Sequence, residues 1–185
     1  MRKCIVVKKI FLLFVFLVVY IFSYVGFASA IPSYGKWFNP RILKTYIQPG
    51  HPRTIMMKHA FAEWSRVTQN KFVFRYVDSP KVAQIEVYFV KTIPNADREI
   101  GLTKTSRMNS GKITHAVIQI AERPVNGAKL RNDSVYTTML HEIGHAMGML
   151  EHSSDPKSVM YPVVNDAQEI SKADLQRLAK IYGWD

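Results

Sequence analysis

Between Leu140 and Pro162 the chain reads LHEIGHAMGMLEHSSDPKSVMYP, and this stretch restricts the fold more than any other. His141 and His145 are four residues apart. On an α-helix that spacing brings two side chains onto one face, about one turn apart. Two imidazoles can then meet one metal ion, so the segment must be helical and must lie where a third ligand can reach it. Glu142 falls between them in the HExxH pattern and points to the side of the pair, where it can act on a water without taking a ligand position. Gly148 ends the helix and lets the chain double back, because glycine accepts the left-handed conformation of a helix C-cap. His152 then comes within reach.

The pattern continues to Ser158-Val159-Met160-Tyr161-Pro162, which resembles the metzincin Met-turn, a tight turn that places a methionine under the zinc. The metzincin pattern HExxHxxGxxH would put its third histidine at 151, and here Glu151 is followed by His152. Either the turn after Gly148 carries one extra residue and His152 ligates, or Glu151 ligates, as an acidic third ligand does in the snapalysin-like branch. Ser153-Ser154-Asp155-Pro156 resembles the segment just after the third histidine of bacterial matrixin-like proteins. A neutral imidazole also suits zinc without adding a negative charge that would make a water there less acidic. The expected zinc ligands are therefore His141, His145 and His152, with Glu151 the alternative to the third.

At 185 residues, 48% hydrophobic and 21% charged, the chain suits one globular domain with a proper core. It carries 25 Lys and Arg against 14 Asp and Glu, and four of these bases, Arg2, Lys3, Lys8 and Lys9, precede the apolar run Ile10–Phe22. That run leads to Ala28-Ser29-Ala30, the order of a secretory signal cut after Ala30. Because the uncharged span continues to Gly35, the same segment is also long enough to stay as an N-terminal membrane anchor. Residues 1–30 are read as signal or anchor and 31–185 as the domain, placed outside the cytoplasm either way. The only cysteine, Cys4, lies before the apolar run, so stability must come from the core and a bound metal. The basic surplus suits anionic surfaces or acidic substrates, or a solvated face, and no basic run interleaved with aromatics points to nucleic acid.

From residue 31 the chain alternates. Ile42–Gln48 reads as a strand closed by Pro49-Gly50, and a helix from Pro52 to about Asn70 carries Ile55 and Ala62 at helical spacing. Phe72–Val77, Ile85–Val90, Gly101–Met108 and Ile113–Ala121 read as strands, the last two joined at Asn109-Ser110-Gly111. Asp133 or Ser134 is the expected cap of the histidine helix, with Val135, Met139 and Ile143 turned to the core. A last helix is expected from about Ser171 to Tyr182.

This order resembles a matrixin catalytic domain. Ala60-Phe61, Trp64-Ser65, Val67-Thr68 and Phe72 match the AFxxWSxVTxxxF pattern of matrix metalloproteinases, and Ile170-Ser171, Asp174, Leu175 and Ile181-Tyr182-Gly183 are similar to that family's final helix. The resemblance implies an α+β, zincin-like fold: a twisted five-stranded mixed sheet with an active-site helix, Met-turn and C-terminal helix. It also implies that Asp174 supports the Met-turn, that an extended substrate pairs with the strand near Gly101–Met108, and that Tyr161-Pro162 help wall the pocket. Ala173 stands where the family has the aspartate that receives the freed N-terminal amine. His51 and His59 belong to the first helix region, and His115 to its strand.

The expected activity is that of a zinc endopeptidase, monomeric, acting on protein or peptide substrates with Glu142 as general base. The alternative is a non-catalytic, zinc-stabilised cell-surface binding module. A structural site is closed, whereas a catalytic one keeps a position for water.

Overall fold

The computed structural model describes residues 34–94, 99–127, 129–164 and 168–184. The expected leader, Met1–Ala30, lies outside the described residues. What organises the rest is a mixed sheet laid against two helices. The first strand, β1 (Lys36–Trp37), lies parallel to the start of β6 (Lys112–Ala121), and β4 (Ile85–Val90) lies parallel to its end. Beyond β4 come β2 (Leu43–Ile47) and β3 (Phe74–Tyr76), both parallel. Among the described strands only β5 (Gly101–Arg107) runs antiparallel, paired with β6 through the Asn109–Gly111 turn. Gly111 takes a φ of 80° there, which closes a short hairpin loop.

The sheet thus has six strands where five were expected. A two-residue strand has no periodicity to read, and β1 exists because Trp37 is buried and Lys36 N–H donates to the Gly111 carbonyl at 3.0 Å. Alternation governs the rest: Ile85, Val87 and Phe89 of β4 are buried, and so are Ala116, Ile118 and Ile120 of β6. Ile113 would fall on the wrong face, but Ser106 pairs with His115 while Arg107 pairs with Ile113. This bulge leaves Thr114 over and returns Ile113 to the core.

Helix α1 (Thr54–Val67) buries Met57, Ala60, Phe61 and Trp64. This corrects the face expected from Ile55 and Ala62: both are exposed, Ile55 at 68%, because the buried stripe follows 57, 60, 61 and 64. The helix also stops at Val67, where Thr68 Oγ1 donates back to the Trp64 carbonyl and Gln69 and Asn70 turn left-handed. Helix α2 (Asn132–Ala146) buries Val135, Met139 and Ile143 as expected, but it starts earlier than either proposed cap. Its N-cap is Arg131, with no side-chain cap bond, and Asp133 instead sits in the first turn, where the helix dipole favours a carboxylate. The Trp64 indole donates to the Leu140 carbonyl at 2.9 Å and locks α1 to α2. Helix α3 (Lys172–Tyr182) follows a capping box between Ser171 and Asp174 and ends at left-handed Gly183.

Candidate metal centre and catalytic site

From Thr137 to Ala146 every position of α2 except His145 is buried, so the helix runs through the core and presents the histidines from a rigid support. Its last carbonyls would otherwise be orphaned. The Trp37 indole donates to the Ala146 carbonyl at 2.8 Å, and the Tyr182 hydroxyl donates to that of Met147 at 2.8 Å. The chain then reverses at Gly148, whose φ of 113° suits no L side chain. A Cβ there would also land on the Gly35 carbonyl oxygen, and Gly35 N–H donates to the Gly148 carbonyl at 3.0 Å. Glycine is needed at 148 for two reasons, of which the sequence revealed one.

Three histidines converge past this reversal. His141, His145 and His152 bring ligand nitrogens within 4.8 Å of one another, and their ring centroids lie 4.6 to 5.2 Å apart. His141 Nδ1 lies 2.7 Å from the Val159 carbonyl and His145 Nδ1 2.6 Å from that of Met149. A carbonyl only accepts, so both Nδ1 atoms carry the proton and both Nε2 atoms present bare lone pairs. Those two Nε2 atoms face each other at 3.0 Å. Two lone pairs at that distance repel unless a cation lies between them. Nitrogens bound to zinc at 2.0–2.1 Å with tetrahedral angles would sit about 3.3 Å apart, so the donor set fits that ion.

Protonation favours the same use. Burial lowers the His145 pKa to about 4, with His141 beside it adding to the shift, and burial also lowers His141 and His152. The imidazoles therefore keep their lone pairs at neutral pH. Glu151, the alternative third ligand, is exposed and reaches instead for Arg177 Nη2 on α3, at 3.6 Å.

Glu142 lies beside the histidines, almost fully buried against β5. Burial pushes its carboxyl up to about 7, and the Thr103 hydroxyl, donating to Oε2 at 2.6 Å, partly offsets that rise. Gly101 leaves the space the carboxylate occupies: a Cβ there would come within 2.5 Å of Oε1 and of Thr138 Cγ2. Thr103 and Gly101 were not read as neighbours of Glu142 because they belong to a strand remote from it in sequence, and only the packing of β5 on α2 brings them together.

The Met-turn forms the other wall. Met160 is fully buried, and a Cβ on Gly144 would collide with its Sδ, so the HExxH glycine lets the methionine close under the histidines. Ser153 N–H donates to the Met160 carbonyl at 2.7 Å, which fixes the segment carrying His152. Asp174 is 2% exposed and accepts from Ser158 Oγ at 2.6 Å, tying α3 to this turn as the resemblance implied. A cavity of about 710 Å³ opens onto all three histidines and Glu142. Leu130, Thr138, Pro162, Val163 and Val164 are among its lining; Pro162 takes its expected place, and Tyr161 is not in the wall. The remaining histidines stand apart. His115 Nε2 lies 2.9 Å from Glu86 Oε1, and His51 stacks on Phe89 just before α1.

The sequence profile of the matrixin family matches residues 45–183. The chain belongs to the matrixin family. Members of that family are zinc metallopeptidases, and the histidine triad of this matrixin could hold the metal. Human (Homo sapiens) matrilysin is 38% identical over 66 residues, 34% of this chain and 24% of matrilysin. A probable matrix metalloproteinase of Invertebrate iridescent virus 3 is 29% identical over 140 residues, 70% of this chain and 37% of the viral protein. This matrixin thus spans well under half the length of these relatives. Myroilysin has the same fold, with a TM-score of 0.54 at 17% identity over 80% of this chain and 95% of the solved one.

The buried ionisable groups make a pH prediction for the metal-free matrixin domain. Glu142 is raised in the fold, so its contribution to stability is present below about 4.5 and lost as pH rises through about 7. His145 is lowered, so its contribution is present above about 6.5 and lost as pH falls through about 4. The two oppose each other, and because His141 and His152 are lowered as well, Glu142 offsets only part of the acid loss in the wild type. In Glu142→Gln only the histidine effect remains, and stability should fall on acidification by on the order of 3 kcal/mol. Urea melts in chelator at stepped pH check this; a wild-type curve as steep as the variant's would exclude the raised carboxyl.

Proposed function

We propose that this matrixin domain is a zinc endopeptidase that hydrolyses peptide bonds outside the cytoplasm, with His141, His145 and His152 as metal ligands and Glu142 as general base. The observation that carries the reading is the pair of bare Nε2 atoms facing each other at 3.0 Å beside a buried carboxylate on the same helix. Zinc on the three imidazoles would supply Lewis acidity, polarising the scissile carbonyl and lowering the pKa of water towards ~7.

The residues of the chain do the rest. Thr103 holds Glu142 Oε2 and leaves Oε1 for the attacking water. Glu142, whose carboxyl burial raises above the usual range, takes the water's proton and later delivers it to the leaving amine. Met149 and Val159 carbonyls hold the imidazole tautomers. Among the described residues β5 pairs only with β6, so its outer edge near Gly101–Thr103 offers backbone groups to an extended substrate. Leu130, Pro162 and Val163 then give an apolar surface to the side chain beyond the cut. The binding-module alternative needs a closed site, whereas Glu151 is held by Arg177 and a cavity opens onto the histidines.

The test is hydrolysis of quenched fluorescent peptides by zinc-loaded residues 31–185. Activity should vanish in chelator and return with zinc, and chelation should lower Tm by on the order of 5–10 °C. A protein that zinc stabilises but that cleaves no peptide in a broad library would favour the binding module.

A further inference from the structure

A second surface lies at the far end of β5 from the catalytic centre. Gly101 borders Glu142 and Arg107 ends the strand, so the two ends are about 20 Å apart. At the Arg107 end the hairpin and β1 gather three exposed apolar side chains, Phe38 at 86%, Met108 at 54% and Tyr34 at 43%. Single exposed hydrophobics are ordinary, but these are interleaved with cations. Lys112 Nζ lies 4.8 Å above the Phe38 ring, and Arg107 Nη1 donates to the Tyr34 carbonyl at 3.3 Å. Met108 N–H donates to the Lys112 carbonyl at 2.9 Å, and Lys36 is the register partner of Lys112.

The segments that build this end carry no acids of their own, and Glu86, on the neighbouring strand, faces His115 at 2.9 Å. No Asp or Glu occurs before Glu63, and none occurs from Ile100 to Ala121. The face thus combines a projecting aromatic ring, a methionine and a tyrosine with Arg107 and Lys112, while Lys36 Nζ behind them donates to the Tyr182 carbonyl at 3.0 Å. Soluble polyanions need the cations but have no use for a ring projecting into solvent. An anionic bilayer uses both, the cations at the headgroups and the ring at the acyl boundary. Tyr34 also stands only a few residues after Ala30 in the sequence.

We propose that Tyr34, Phe38 and Met108, flanked by Arg107 and Lys112, dock the domain on an anionic phospholipid surface. Docked this way, the catalytic centre at the other end of β5 stays clear of the bilayer. The proposal does not depend on peptidase activity.

Residues 31–185 form one unit that carries the whole buried core, so the test uses this domain and no leader. Co-sedimentation is measured with phosphatidylcholine vesicles and with vesicles containing about 30% phosphatidylglycerol. Binding is expected only to the anionic vesicles and should weaken as salt rises. Phe38→Ser should lower partitioning about tenfold or more. Lys112→Glu should lower it about fivefold or more. Neither should change Tm, because both side chains lie on the surface. Phe38→Trp gives a direct readout, a blue-shifted emission quenched by brominated lipid. Absence of binding to anionic vesicles overturns the proposal. So does binding that Phe38→Ser leaves unchanged and that heparin matches, which would mark a site for soluble polyanions.

Discussion

Glu142→Gln is expected to lower kcat/KM for peptide cleavage by about 10²–10⁴-fold while the domain still binds one zinc ion. The glutamine has the same shape, and its carbonyl can still accept from the Thr103 hydroxyl, which now donates to Oε2 at 2.6 Å. What it lacks is the ability to take a proton. The three imidazoles are left alone, since their orientation depends on Val159, Met149 and the chain reversal at Gly148. Steady-state kinetics with metal analysis on the same samples would check both halves. A variant that keeps more than a tenth of wild-type kcat/KM with one zinc bound would remove Glu142 from the role of base. Loss of zinc together with activity would instead make it part of the metal site. In the metal-free domain the carboxylate also opposes stability near neutral pH, because burial raises its pKa.

Asp174→Ala is expected to destabilise the domain by about 3–5 kcal/mol and to weaken the site as well. The carboxylate joins two pieces of backbone that are remote in sequence. Its Oδ1 accepts from Ser158 Oγ at 2.6 Å, and its Oδ2 accepts from Ser171 N at 2.9 Å and Ser171 Oγ at 2.8 Å. Ser158 Oγ in turn accepts from Met160 N at 3.0 Å, which fixes the Met-turn. Removing the carboxylate leaves the buried Ser158 hydroxyl and the half-buried Ser171 donors without their acceptor and breaks the capping box of α3. The disturbance reaches the histidine triad through Val159, whose carbonyl holds His141 Nδ1 at 2.7 Å. A lowered urea midpoint with an unchanged m-value would report the stability loss, and zinc titration of the folded variant would report weaker binding. An effect under about 1 kcal/mol would mean that Asp174 is a dispensable helix charge.

Local spacing carried much of this protein. The four-residue separation of His141 and His145 and the apolar alternation of Ile85–Val90 depend only on helix and strand periods, which are properties of neighbouring residues. The buried face of α1 was misread because Ile55 and Ala62 share a helical spacing with each other but not with the sheet. The two-residue β1 and the early start of α2 at Asn132 carry no periodic signal.

By itself, then, the sequence determined an α+β chain with a two-histidine helix, a turn after Gly148 and a methionine turn beyond it. It left the third ligand open between Glu151 and His152, adjacent residues that differ by a rotation of the backbone. Only the tertiary structure turned His152 toward the other imidazoles and gave Glu151 to Arg177, since α3, remote in sequence, supplies that cation. It also decided what surrounds Glu142. The Thr103 hydroxyl and the space at Gly101 come from β5, and the register of β5 on β6 is set by a hairpin and a bulge that have no sequence link to the histidine helix. Contacts between distant segments depend on how whole elements pack, and no local spacing encodes them.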